Sequence, residues 1–195
     1  MCMTDTWSTT FLAEFSVLET CHITFGAGWS LALVGFGLDK LHRLRDLTLR
    51  RIPAMAITQT IQCPGAITLH ALDVMCSRIP LASRARSIAV HCDTEPLDLF
   101  NFDVPLDTLE HLAVSTTGIL CMPRGLDIPK LESLKIACDI FFIPDMKQWP
   151  ALTRVDIQTT DSILVDDVSS LPAHPDAEIH AVCQDKPFNL VQALS

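Results

Sequence analysis

A short apolar phrase recurs along the chain, and it constrains the fold more than any other feature. It reads apolar, two variable residues, apolar, one variable residue, apolar. The clear copies are Leu44-x-x-Leu47-x-Leu49, Leu69-x-x-Leu72-x-Val74, Leu109-x-x-Leu112-x-Val114, Leu131-x-x-Leu134-x-Ile136 and Leu152-x-x-Val155-x-Ile157. Weaker copies end at Ile23 and Val90, and a degenerate eighth ends at Ile179. Because the last two apolar positions are two residues apart, they share one face of a short strand.

The spacing of these copies predicts how they assemble. Their last apolar positions lie 26, 25, 16, 24, 22, 21 and 22 residues apart, and all but one interval fall in the ~20–29-residue window of leucine-rich repeats. Such strands are too short to stand alone, so successive copies would stack in parallel around one core. We therefore predict an α/β solenoid with one curved parallel sheet and short irregular or helical returns on its convex side. The interval of 16 indicates a shortened repeat or a misassigned copy.

Two other folds compete with the solenoid. An amphipathic helix also places apolar residues at these positions, but the residues after Ile136 do not keep a helical period. A doubly wound sheet needs helices of ~10–15 residues between its strands. The connecting runs here are short and broken by proline, as in residues 52–57, 119–123 and 140–144.

The predicted repeat array covers residues 18–183 and holds about seven to eight degenerate copies. Residues 1–17 are expected to form an N-terminal capping helix, because Phe11, Phe15 and Leu18 have helical spacing. Residues 184–195 are expected to be a C-terminal tail or a weak cap. A solenoid exposes its core at both ends unless such caps cover it.

The chain resembles the leucine-rich-repeat part of fungal F-box-type proteins, whose repeats are of the ribonuclease-inhibitor-like kind. The resemblance rests on residues 41–49 (LHRLRDLTL), 128–136 (IPKLESLKI) and 149–157 (WPALTRVDI). In that family an N-terminal F-box recruits a ubiquitin-ligase scaffold and the repeats hold the substrate. No F-box is recognisable here, since the first copy starts at Leu18. The resemblance thus implies target binding, and a ubiquitin-ligase association only through the family.

Composition narrows the range of partners. The formal net charge is −9, which disfavours nucleic acid because phosphate backbones are repelled. Basic residues cluster once, and we take them as solvated positions around one strand, with a local basic patch as the alternative: Lys40, His42, Arg43, Arg45, Arg50 and Arg51. The most apolar run, 23–38, is too short to span a membrane. Lacking a secretory signal, the chain is expected in the cytoplasm or nucleus.

No residue pattern predicts catalysis, a cofactor or a metal. The eight cysteines are scattered, so buried free thiols are expected. His91 and Cys92 would point to opposite faces of a strand, which separates a nucleophile from its base. Asp73, His91 and His111 lack the usual zinc spacing. The Gly26-x-Gly28 pair lacks the third glycine of a dinucleotide loop.

The strand positions that point away from the core are the candidate binding surface. They lie on the concave face of the sheet, where a solenoid usually binds its partner. These positions form a polar ladder of mixed charge. The predicted partner-binding residues are Asp46, Thr48, Arg50, Asp73, Met75, His91, His111, Ser133, Lys135, Arg154, Asp156 and Gln158.

We therefore expect a non-enzymatic module that binds another protein. A small α/β enzyme of unknown reaction is one alternative, and a truncated repeat fragment without a function of its own is another. An enzyme would show a deep pocket with converging polar groups, whereas a repeat module would show a broad face.

Overall fold

A computed structural model describes the chain as two compact units, whose described residues lie mostly in parallel strands. The described residues are 17–24, 40–51, 61–62, 68–72, 81–82, 85–92, 106–122, 125–172, 174 and 176–190. The N-terminal unit comprises Met1–Asp93 and Asp98–Pro105, and the C-terminal unit comprises Thr94–Leu97 and Leu106–Ser195. Of the predicted N-terminal capping helix, only Val17 lies within the described residues.

Four strands of the N-terminal unit stack in the order in which they occur along the chain, and two short strands pair separately. The six described strands of this unit are β1 (Thr20–Thr24), β2 (Asp46–Arg50), β3 (Ile61–Gln62), β4 (Thr68–Leu72), β5 (Leu81–Ala82) and β6 (Ser87–Cys92). β1, β2, β4 and β6 pair successively and in parallel, while β3 and β5 form a separate two-stranded parallel pair. This succession is that of a solenoid, in which each coil adds one strand beside the previous one.

The pairing register corrects one of the predicted copies. Leu69 lies opposite Leu47, and Ala71 lies opposite Leu49, so the strand was predicted three residues out of register. The next strand follows this register, with Val90 opposite Ala71. The interval before Val90 is therefore 19 residues rather than 16, and the irregular spacing came from a misassigned copy.

The C-terminal unit repeats the same parallel stacking and closes with a hairpin. Its strands are β7 (His111–Thr116), β8 (Ile119–Cys121), β9 (Ser133–Asp145), β10 (Arg154–Ser170), β11 (Glu178–Cys183) and β12 (Lys186–Pro187). β7, β9, β10 and β11 pair in parallel, and β12 is antiparallel to β11. Ala181, not Ile179, lies opposite Ile157, so the last copy was predicted two residues too early.

The returns in the C-terminal unit are strands rather than helices. β9 and β10 continue beyond the first ladder, and their second halves form another parallel ladder with β8. Within these runs, buried residues alternate with more exposed ones, as Leu120 and Met122 do in one coil and Phe141 and Ile143 in the next. A period of two favours a strand over a helix. The complete helical elements of the described residues are two 3₁₀ helices, Leu106–Thr108 and Met146–Gln148.

The solenoid of stacked coils is therefore confirmed, and the described residues are mostly β-sheet. The predicted α/β mixture is not what these residues show. Short irregular or helical returns were expected, whereas Ile119–Cys121 and the second halves of β9 and β10 are strands. In the part of the chain that the structure describes, no helix has the length and apolarity needed for a membrane crossing.

The core lies on the inward side of each coil. All three apolar positions of the best copies are at most 5% exposed, and this set includes Leu44, Leu47, Leu49, Leu109, Leu112, Val114, Leu131, Leu134, Ile136, Leu152, Val155 and Ile157. Trp149 is fully buried, and its indole N–H donates to the Leu126 carbonyl at 2.8 Å. Burying the apolar part while satisfying the polar atom lets Trp149 fill the space between coils without a desolvation cost.

Candidate functional site

Outward side chains of three adjacent strands meet on one face of the C-terminal unit, which we call the outer face. The register places Lys135 of β9 opposite Asp156 of β10, and Asp156 opposite His180 of β11. Two residues before Asp156, Arg154 lies between Ser133 and Glu178 of the neighbouring strands. Two residues after Asp156, Gln158 lies between Ala137 and Val182. Neighbouring parallel strands lie about 4.8 Å apart, so this face forms one continuous surface.

A shallow depression of about 320 Å³ lies on this surface. It is lined by Lys135, Ile136, Arg154, Asp156, Ile157, Gln158, His180 and Val182. Four of these residues belong to the predicted binding set: Lys135, Arg154, Asp156 and Gln158. The strand register therefore brings these four side chains together on one surface.

An ion pair organises the middle of the depression. The Arg154 Nε donates to the Asp156 Oδ2 at 2.9 Å, within one strand. The Arg154 side chain is 59% exposed and that of Asp156 is 28% exposed, so solvent screens the pair and its contribution to stability is small. Its effect is on orientation, because the guanidinium is held along the strand with donors left toward the surface.

The remaining predicted residues of the C-terminal unit extend the same face. His111 of β7 lies opposite Ser133 of β9; His111 is exposed, and Ser133 is half-buried. His180 and Val182 were not in the predicted set, although they line the depression. The register of β11 would have identified them, but it is hard to read from the sequence because small Ala181 occupies the core position that Ile136 and Ile157 fill in the two preceding strands.

The predicted binding residues of the N-terminal unit differ from one another in their exposure to solvent. Asp46 and Arg50 are exposed at the two ends of β2, but Thr48 between them is only 8% exposed and offers little surface to a partner. His91 is half-buried. Asp73 and Met75 lie outside the described residues, and the corrected register places His70 opposite Thr48.

A polar corner joins the two ladders of the C-terminal unit. The Asp139 carboxylate accepts from the Gly118 backbone N–H at 2.8 Å and from the Thr160 hydroxyl. The Gly118 carbonyl in turn accepts from the backbone N–H groups of Asp139 and Ile140. Gly118 has a φ of 107°, which residues with a side chain rarely adopt. Sequence reasoning did not single out Asp139, which ties three consecutive coils together.

The thiols near this corner are kept protonated. Burial, together with the neighbouring charges of Asp139 and Cys121, raises the pKa of Cys138 to about 11, even though a hydrogen bond with the Leu120 backbone acts to lower it. Burial also raises the pKa of Cys21 and of Cys121. A nucleophilic cysteine needs a lowered pKa, so these three thiols have the opposite character.

The other groups weighed for chemistry do not form a reactive centre among the described residues. His91 is half-buried and Cys92 is buried on the opposite side of β6. Across the described ranges, no group of three or more His, Cys, Asp or Glu side chains could hold a metal ion. Cys21, Cys92, Cys121, Cys138 and Cys183 are free thiols.

No family model, no curated protein and no solved structure matches this chain. The arguments about its function therefore rest on its own geometry. A shallow surface shared by three strands suits an extended polypeptide or a protein surface better than a small molecule, since small ligands favour enclosed pockets that cover most of their area.

Proposed function

We propose that this chain is a non-enzymatic protein-binding module whose outer face contacts a protein partner. The observation that carries the proposal is the shared depression, in which Lys135, Arg154, Gln158 and His180 present donors from three neighbouring strands. Side chains of this kind recognise backbone carbonyls and carboxylates of a polypeptide through hydrogen bonds. The rigid parallel strands underneath hold these groups in place, which reduces the entropy lost on binding.

The repeat type is part of the same proposal. We propose that the coils are leucine-rich repeats similar to those of fungal F-box-type proteins. The buried Leu131, Leu134 and Ile136 support this assignment, as does Asp139 at the ninth position of the phrase, where the leucine-rich consensus has Asn or Cys. Association with a ubiquitin ligase, and a location in the cytoplasm or nucleus, follow only from that resemblance.

The outer face can be tested by comparing the proteins that co-purify with matched variants. One variant carries Lys135→Ala, Gln158→Ala and His180→Ala on the outer face. The control carries Lys130→Ala, Glu132→Ala and Lys147→Ala, which are exposed residues of the same unit outside the depression. Affinity purification with quantitative mass spectrometry measures the recovery of each partner.

We expect at least one partner to be recovered with the wild-type chain and the control, and to fall roughly tenfold with the outer-face variant. Its recovery together with ligase subunits would support the family resemblance. If every recovered protein binds the outer-face variant and the wild-type chain equally, the outer face is not the binding surface.

A further inference from the structure

The coil that contains β2 carries an unusual concentration of positive charge, which we call the basic coil. It is defined by six exposed side chains: Lys40, His42, Arg43, Arg45, Arg50 and Arg51. Five of the chain's 14 Lys and Arg residues thus lie within 12 residues, in a chain of net charge −9. The outer face does not include any of them, so the proposed function leaves this feature unexplained.

The basic coil is firmly anchored to the core. Leu41, Leu44 and Leu47 are fully buried, and Leu49 is 2% exposed. The turn before the strand is closed by a hydrogen bond from the Leu44 N–H to the Leu41 carbonyl at 3.1 Å, and the Arg45 N–H donates to the Glu19 carbonyl at 2.8 Å. The charged side chains therefore extend from a fixed backbone, which lowers the entropic cost of engaging a ligand.

Equivalent positions differ in charge from coil to coil, so the fold itself does not require basic residues there. Arg43 and Arg45 flank the first apolar residue of their phrase, Leu44. The corresponding pair around Ala85 is also basic (Arg84 and Arg86), whereas the pairs in two other coils are Lys130 and Glu132 around Leu131, and Ala151 and Thr153 around Leu152. A solvated edge can thus be built from neutral or acidic residues.

The described acidic residues of the N-terminal unit are fewer than the basic residues of the basic coil. Among the described residues of that unit, the acidic side chains are Glu19 and Asp46, both exposed, against the five Lys and Arg side chains of the basic coil. At ~0.15 M salt the field of a charge decays over about 8 Å. A ligand at the coil therefore experiences mainly the charge of the residues within about that distance.

We propose that the basic coil binds a short acidic segment of a protein partner. β2 is five residues long, about 17 Å at ~3.3 Å per residue, which matches an extended segment of similar length. Arginine forks pair well with carboxylates. Because the basic coil and the outer face share no residue, either proposal can fail without the other.

Fluorescence anisotropy with the full chain tests this proposal. The probe is a fluorescein-labelled peptide of about ten residues that is rich in Glu, and the comparison probes are a Lys-rich peptide and a single-stranded oligonucleotide of similar length. The test variant is Arg43→Ser with Arg45→Ser. The matched control, Lys130→Ser with Lys147→Ser, removes the same charge from exposed positions of the C-terminal unit.

We expect the Glu-rich peptide to bind at about 50 mM salt and to weaken markedly at about 300 mM. The test variant should weaken binding about fivefold, while the control should change it less than about twofold. Far-UV circular dichroism checks folding. If the test variant unfolds, Arg50→Ser with Arg51→Asn replaces it, since Asn tolerates the φ of 57° at position 51.

Three results would overturn the proposal. The first is no binding of the Glu-rich peptide at low salt. The second is equal weakening by the test and control variants, which would show a response to net charge alone. The third is tighter binding of the oligonucleotide than of the Glu-rich peptide, which would assign the coil to nucleic acid.

Discussion

At the scale of single residues, Asp139 is a polar group that links neighbouring coils of the C-terminal unit. Its two carboxylate oxygens receive donors from the coil before it and the coil after it, Gly118 and Thr160. Removing an acceptor leaves its donors unsatisfied at a part-buried corner, and such donors cost more than the hydrogen bond itself contributes. The corner should therefore be sensitive to the loss of this one side chain.

We predict that Asp139→Ala lowers the free energy of unfolding by about 1–3 kcal/mol. Asp161→Ala is the control, since Asp161 is exposed and only its backbone carbonyl accepts hydrogen bonds, from Cys183 and Gln184; it should change stability by less than about 0.5 kcal/mol. Urea denaturation followed by circular dichroism measures both. Equal effects of the two substitutions would remove the special role of Asp139.

The raised pKa of Cys138 predicts a loss of stability at alkaline pH. In the unfolded chain the thiol ionises near its ordinary pKa of 9.0, and in the folded chain at about 11. The folded state therefore holds a proton that the unfolded state has lost, so stability is full below pH 9 and declines as the pH rises toward 11.

Measuring urea midpoints at several pH values from about 8 to 10.5 tests this assignment. The midpoint of the wild-type chain should fall more steeply over this range than that of Cys138→Ala, in which the thiol is absent. Parallel slopes for the two proteins would mean that Cys138 titrates alike in the folded and unfolded chain.

At the scale of strands, the alternation within the phrase separates core from surface. Ile136 is 1% exposed and faces inward, whereas its neighbour Lys135 is exposed on the outer face. The sequence alone predicted this division correctly, because the two positions after Leu134 have opposite polarity and a strand alternates its faces.

We predict that Ile136→Ala destabilises the protein by about 2–4 kcal/mol, since it leaves a cavity in a packed coil. Lys135→Ala, one residue away, should cost less than about 0.5 kcal/mol. Chemical denaturation compares the pair on the same strand. A large effect at both positions would indicate that the strand is buried on both faces.

Register was harder to predict than strand position. In residues 69–74 the sequence Leu-His-Ala-Leu-Asp-Val fits the phrase with Leu69 as its first or its second apolar residue. The choice depends on pairing with β2 and β6 rather than on the segment itself. The returns were predicted as short irregular or helical segments for a similar reason, since a short apolar run does not reveal its period when proline interrupts it.

At the scale of the whole molecule, the recurring phrase determines most of what could be foreseen. It predicted parallel stacking and a polar outer surface, and Lys135, Arg154, Asp156 and Gln158 do lie together in one depression. It left His180 out of the binding set and aligned this residue with Gln158 instead of Asp156, because the weakest copy sets that register. Nor does a periodic pattern identify a partner, since the phrase specifies inward residues and leaves the outward ones unconstrained.

The central claim is that each phrase forms one strand laid in parallel beside the next. Backbone nuclear Overhauser effects in a deuterated sample test it directly, through contacts between amide and α protons of neighbouring strands. The account predicts same-direction contacts that link Leu134 with Val155, Ile136 with Ile157, and Ile157 with Ala181. Contacts running in the opposite direction along these strands, or helical contacts within residues 131–136, would contradict it.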